Sequence, residues 1–136
     1  WDPALSAATL HSGLRGRTAA VKTVLLQGSL IVGLGNIYAN EALFRAGIRP
    51  GRAAQRVTRP ECGPLLEQAR KVLEQAIAAG GTTLRDFVHG DGEAGYFAQE
   101  LMVYGRSGQA CRACGAIIRS RTLGQRSAFW CPSCQA

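Results

Sequence analysis

The sequence predicts a mainly α-helical protein that closes on a small β-hairpin module. Three observations carry that prediction. Helical amphipathic periodicity dominates residues 18–79, paired cysteines fall at 111, 114, 131 and 134, and two short β-patterned segments, AIIRSRT and RSAFW, lie between the pairs.

The first helix is expected over Thr18–Gln27, with Thr18 as N-cap and Val21, Val24 and Leu25 on one face. GSLIVGLGN, residues 28–36, then breaks the pattern with Gly28, Gly33 and Gly35 while Leu30, Ile31 and Leu34 stay apolar, which reads as a buried, tightly turning segment. A second helix is expected from Asn36 to Ala46, because Ala39, Ala42, Leu43 and Ala46 follow i, i+3, i+4, i+7 spacing and Gly47 is placed to end it. The longest helix is expected over Pro60–Ala79. Thr58 and Glu61 have capping-box spacing, and Cys62, Leu65, Leu66, Ala69, Val72, Leu73, Ala76 and Ile77 form one apolar stripe that Gly80 and Gly81 stop. Cys62 on that stripe is a packed core thiol, whereas Pro64 removes a backbone donor and should distort the first turn or delay the helix.

Residues 82–99 change character, with Gly90, Gly92 and Gly95 among Phe87, Tyr96 and Phe97; a loop of that length is commonly functional or disordered. From Glu100 the pattern turns to β segments, ELMVY, AIIRSRT and RSAFW, with Leu123-Gly124-Gln125 as a hairpin turn between the last two.

The spacing C-x2-C-x16-C-x2-C formed by Cys111, Cys114, Cys131 and Cys134 points to one structural Zn2+. Each knuckle offers two thiolates from one turn, and the intervening residues suffice for a hairpin that brings the knuckles together. A module this short cannot bury enough apolar surface to fold alone, so a metal is physically required. Four ligands leave no open position for catalysis. An iron site or a pair of redox dithiols are the competing readings of the same spacing. His11 and His89 lack ligand spacing.

Charge is segregated along the chain. Residues 11–59 hold eight Lys/Arg against Glu41 alone, residues 60–100 hold seven acids against three basic residues, and residues 101–136 hold five arginines and no acid. Of these, Arg119, Arg121 and Arg126 flank the hairpin turn, and Phe129 and Trp130 brace its far strand. Guanidinium groups on a metal-pinned hairpin suit phosphate, and the net charge of +7 favours a polyanion partner. No apolar run reaches the roughly 20 residues that span a membrane. Trp1-Asp2-Pro3 has no signal-peptide pattern, and Trp1 is not a natural initiator, so the chain is expected to start partway along a longer protein.

Three segments, GSLIVGLGNIYANEALFRAGIRP (28–50), GGTTLRDFVHGDGEAGYFAQELMVYGRSGQACRACG (80–115) and QRSAFWCPSCQ (125–135), closely resemble bacterial formamidopyrimidine-DNA glycosylase. The resemblance implies a helix–two-turn–helix DNA-binding domain over 1–81, a lesion-recognition loop over 82–99 that closes on an everted base, and a four-cysteine zinc-finger hairpin over 100–136. It implies that Asn36 binds a phosphate beside the lesion and that Arg17 and Lys22 face DNA. It further implies that Arg126 grips phosphates around the flipped nucleotide and takes part in the final elimination step. The family excises oxidised purines such as 8-oxoguanine and formamidopyrimidines and then cuts the abasic strand. The expected partner is damaged double-stranded DNA, and the expected setting is a monomer in the bacterial cytoplasm, with no membrane association. The family's N-terminal proline nucleophile and following glutamate have no counterpart in Trp1-Asp2-Pro3. The expectation is therefore the DNA-binding half of the enzyme, without its catalytic domain and inactive by itself. A stand-alone zinc-ribbon nucleic-acid module without glycosylase ancestry, and a thiol redox protein, are the rival readings.

Overall fold

The structure is a computed structural model that describes residues 5–27, 31, 34–78 and 101–136. Gly80, Gly81 and the loop 82–99 lie outside the described residues. Among the described residues four helices come first: α1 (Ala7–Leu14), α2 (Val21–Leu26), α3 (Asn36–Ala46) and α4 (Arg59–Ala78), with a 3-10 turn at Ala54–Arg56. Two antiparallel strands follow, β1 (Arg119–Leu123) and β2 (Arg126–Trp130). None of the described helices is long and apolar enough to cross a membrane.

The helix α1 has no counterpart among the sequence expectations. Ser6 caps it in a full capping box, its hydroxyl accepting the Thr9 N–H at 3.2 Å while the Thr9 hydroxyl oxygen accepts the Ser6 N–H at 2.8 Å. Leu10 and Leu14 bury its inner face. The next helix starts later than expected. Thr18 is not its cap, because residues 17–20 run extended and pair with the chain after α3: Ala54 N–H donates to the Ala19 carbonyl at 2.8 Å and Gln55 N–H to the Arg17 carbonyl at 2.9 Å. Only from Val21 is the backbone free to coil, and Val21, Val24 and Leu25 are buried as expected.

The bounds of α3 agree with the expectation, and Gly47 ends it in the left-handed conformation at φ +76°. The α4 helix runs unbroken from Arg59, so Pro64 neither delays nor interrupts it. Its predicted box is half formed. The Glu61 carboxylate reaches back to the Thr58 N–H at 3.0 Å, but the Thr58 hydroxyl donates to that same carboxylate instead of capping a backbone N–H. Cys62, Leu65, Leu66, Ala69, Val72 and Ala76 are buried on the predicted stripe, whereas Ile77 is exposed. Cys62, Leu65, Leu66 and Ala69 share one core with Leu10, Val24, Leu43 and Ile48 that runs across α1–α4, whereas Ala76 packs with Ile37 and Leu101.

The hairpin pairs Arg119 with Trp130 through Leu123 with Arg126, leaving Gly124 and Gln125 as a two-residue turn. Gly124 sits at φ +64°, a conformation that side chains disfavour. Residues 101–104 of the expected ELMVY strand do not form one; Glu100 lies outside the described residues. Residues 101–104 are irregular because their backbone donors are taken by a side chain instead of a neighbouring strand. The Glu41 carboxylate, buried on α3, accepts the N–H of Met102 at 2.7 Å on Oε1 and those of Val103 and Tyr104 at 2.9 Å each on Oε2. One acidic side chain thus docks the lead-in to the hairpin module onto the helical core. Hydrogen bonds to a charged acceptor are strong, and loss of this one would strand three donors. Glu41→Ala should lower stability by about 2–4 kcal/mol in urea unfolding.

Candidate nucleic-acid interface and zinc centre

Each cysteine knuckle is a hydrogen-bonded turn that aims two sulfurs at one point. In the first, Gly115 N–H donates to the Cys111 carbonyl at 2.8 Å, and Ala113 N–H points at Cys111 Sγ at 3.4 Å. In the second, Gln135 N–H donates to the Cys131 carbonyl at 3.1 Å, and Cys134 N–H points at Cys131 Sγ at 3.3 Å. The four sulfurs lie within 4.8 Å of one another, with Cys111 to Cys134 at 3.9 Å and Cys114 to Cys131 at 3.4 Å. A tetrahedral Zn–S bond of about 2.3 Å sets sulfur–sulfur edges of about 3.8 Å, so the cluster fits zinc. Desolvation and the three neighbouring thiols push Cys134 up to about 12, the mark of sulfurs too close to ionise together without a cation. Val103, Ile118 and Phe44 of α3 pack behind the cysteines.

The second knuckle is also tied to the chain that leaves α3. Gln135 is buried, its Oε1 accepting the Cys131 N–H at 2.7 Å and its Nε2 donating to the Ile48 carbonyl at 2.8 Å. Arg49 donates to the carbonyls of Gln135 and Pro132, and Arg52 donates to the Ala136 carbonyl while pairing with Glu61 at 2.6 Å.

Between α2, the start of α3 and the hairpin turn lies a cleft of about 270 Å³, lined by Thr23, Gln27, Gly35, Asn36, Gly124 and Arg126 among others. The N-terminus of α3 opens here from Gly35 with no side-chain cap and no acid in its first turn. The dipole of a helix start without a side-chain cap favours an anion. Lys22, almost wholly buried beside the cleft, donates from Nζ to the Ser127 carbonyl at 2.8 Å. Asn36 Nδ2 donates to that carbonyl at 3.2 Å, and Asn36 Oδ1 is buried without a partner. Burial, and then the Arg126 guanidinium nearby, depress the Lys22 ammonium to about 8. Arg126 is the cation among the cleft's lining residues, Lys22 stands beside it, and none of the lining residues is an acid.

Of the residues singled out in the sequence, Lys22, Asn36 and Arg126 therefore come together. Arg17 does not line the cleft; its guanidinium donates to Gln27 Oε1 at 2.8 Å, so it stands behind a lining residue. Arg119 is exposed on β1, and Arg121 borders a separate cavity with Arg49, Arg52 and Trp130. The lone Cys62 is a core thiol, raised by burial and then by Glu61, and His11 lies on α1 away from the cysteines; His89 is outside the described residues. Sequence reasoning overlooked Asn40 and Glu41. Polar residues beside Ala39, Ala42 and Leu43 in a helix this short were the available signal.

A helix–turn–helix-like core whose second helix opens onto a basic cleft, closed by a four-cysteine ribbon, defines a nucleic-acid-binding class of protein. Residues 2–88 match the family profile "Formamidopyrimidine-DNA glycosylase H2TH domain", and residues 108–136 match "Zinc finger found in FPG and IleRS". The chain belongs to the formamidopyrimidine-DNA glycosylase family. It is 56% identical over 126 residues to the formamidopyrimidine-DNA glycosylase of Ralstonia nicotianae, covering 93% of this chain and 44% of that one. With the Burkholderia cenocepacia enzyme the identity is 53% over 135 residues, covering 99% and 49%. The chain thus spans about half the length of these relatives. Its fold resembles that of MutM (Fpg) from Thermus thermophilus, with a TM-score of 0.84 at 35% identity, covering 98% of this chain and 51% of that one. It is equally close, at 0.84 and 32% identity over 97% and 48% of the two chains, to Lactococcus lactis Fpg in complex with DNA containing an abasic site. Family membership removes the reading of a ribbon without glycosylase ancestry, and the zinc-finger match removes the redox reading.

Structural zinc supplies the folding energy of such modules, about 10–16 kcal/mol in isolated fingers. Cys131→Ser should therefore abolish the stoichiometric zinc measured by mass spectrometry and unfold the ribbon, while the α-helical circular dichroism persists.

Proposed function

We propose that this chain is the DNA-binding portion of a formamidopyrimidine-DNA glycosylase and that it grips a backbone phosphate of damaged duplex DNA in the cleft between α3 and the hairpin. The observation that carries this reading is that Asn36, the uncapped α3 N-terminus and Arg126 line one cleft, with Lys22 joined to Asn36 beside it through the Ser127 carbonyl. Arg126 supplies a planar two-pronged donor, Lys22 a charge and Asn36 an orienting carboxamide. Arg17 adds long-range attraction from behind Gln27. Phosphate contacts of this kind position a protein on DNA without reading its sequence.

In this reading residues 1–81 form the helix–two-turn–helix domain, 82–99 the loop that closes over the everted base and 100–136 the zinc-finger hairpin. The parent enzyme releases oxidised purines and nicks the strand, with Arg126 assisting elimination. The amine nucleophile belongs to the other half of the enzyme, so the 136-residue polypeptide binds DNA and does not excise. Its partners are damaged duplex DNA and that catalytic domain, and it works as a monomer in the bacterial cytoplasm.

The electrostatic part is tested by fluorescence anisotropy on a duplex carrying an abasic-site analogue. Arg126→Ala should weaken binding about tenfold and make the slope of log affinity against log salt shallower by about 0.9, one phosphate contact. Unchanged affinity and slope would remove Arg126 from the interface. The catalytic part is tested by borohydride trapping on 8-oxoguanine DNA, where no covalent adduct should form.

Lys22 gives the affinity a pH dependence with a defined sign. Its ammonium is depressed to about 8 in the free protein, and a bound phosphate raises it. Affinity should be full below pH 8 and fall as pH rises above it, by at most tenfold per pH unit. Lys22→Ala should flatten that fall.

A further inference from the structure

The Ser127 carbonyl, which accepts from both Lys22 and Asn36 beside the cleft, is itself held by a third side chain. Asn40 lies one helical turn beyond Asn36, on the same face of α3, and is completely buried. Its Oδ1 accepts the Phe129 N–H at 2.8 Å. Its Nδ2 donates to the Asn36 carbonyl at 2.8 Å and approaches the Ser127 carbonyl at 3.4 Å. Ser127 and Phe129 flank Ala128 in β2, and the carbonyl of one and the N–H of the other face the edge of the strand turned away from β1. The Asn40 carboxamide pairs with that edge as the peptide group of a third strand would. Only a carboxamide offers a donor and an acceptor in this geometry; a carboxylate offers acceptors alone and an aliphatic chain neither.

We propose that Asn40 is the positioning residue of the phosphate cleft: by fixing β2 on both sides of Ala128 it sets the Ser127 carbonyl where Lys22 and Asn36 converge, so the cleft is assembled before DNA arrives. The proposal rests on the DNA-binding reading above and adds to it a group that touches no DNA. Lys22 is the nearest of the three donors to that carbonyl, at 2.8 Å against 3.2 Å for Asn36 and 3.4 Å for Asn40. The proton that Lys22 gives to Ser127 fixes where its ammonium charge sits beside the cleft. Arg126 immediately precedes Ser127, and its backbone course is set by the same lock. A ligand entering a cleft ordered in this way avoids the cost of immobilising its side chains on arrival.

The test is a double-mutant cycle in the 136-residue chain, read by anisotropy on the abasic-analogue duplex. It is paired with the NMR signal of the Lys22 side chain in the DNA-free protein. Asn40→Ala should weaken binding about tenfold, and Lys22→Ala by a similar factor. The double variant should be no more than about threefold weaker than either single one, because both changes undo the same arrangement. Additive losses would overturn the proposal, as would a Lys22 signal unmoved by Asn40→Ala. Asn40→Asp guards against a folding defect. It keeps the acceptor for Phe129 and the side-chain volume, so zinc content should stay at one per chain while DNA affinity still falls at least tenfold; wild-type affinity in that variant would also overturn the proposal. If the unmutated chain failed to bind DNA, the functional reading would fall, and the Lys22 signal would still decide whether Asn40 orders the cleft.

Discussion

A helix packed on several sides ordinarily fills its hidden positions with apolar side chains, yet α3 buries Asn40 and Glu41 against the zinc ribbon. Both satisfy backbone groups that no strand or helix partner reaches: the N–H groups of residues 102–104 in one case, the free edge of β2 in the other. Hydrophobic contact alone would let a two-stranded hairpin slide or tilt on the helix. Directional hydrogen bonds to particular backbone atoms allow one seat, and the penalty for leaving those atoms dry and unpaired enforces it. The remaining geometry of the basic cleft follows from that seat.

The zinc and the helix divide the work. The four thiolates close the ribbon on itself, which solves the problem of a module too small to have a core. They say nothing about where the ribbon sits. Glu41 holds its irregular lead-in at residues 102–104, Asn40 holds β2, and the chain after α3 holds the second knuckle through Ile48, Arg49 and Arg52. Every one of these anchors comes from α3 or the loop after it. Arg126 therefore reaches the cleft from a rigid base even though it stands next to a hairpin turn.

Much of this was legible from the residues. Helix α3 announced itself by alanine and leucine spacing and by Gly47, α4 by its stripe and the cysteines by their interval. These signals are local, so tertiary packing had little to override. The misreadings have a common cause. Thr18 reads as a cap and ELMVY as a strand only if their backbone groups bond within the segment. In fact residues 17–20 bond to residues 53–55, and residues 102–104 bond to Glu41. Lys22, Asn36 and Arg126 were identified through resemblance. That they meet on the Ser127 carbonyl and its neighbourhood is a three-dimensional fact no spacing rule contains. Helix α1 was overlooked because its capping partner is a threonine where the common signature has Glu or Gln.

Cys62 lies fully buried in the helical core, far in sequence from the four cysteines of the ribbon. The molecule consequently carries two chemically identical reporters with separate triggers. A thiol-reactive dye reaches the ribbon sulfurs when the metal leaves, and reaches Cys62 only when the helices themselves come apart. Labelling stoichiometry followed over time then reads local demetallation and global opening as two clocks in one unmodified chain.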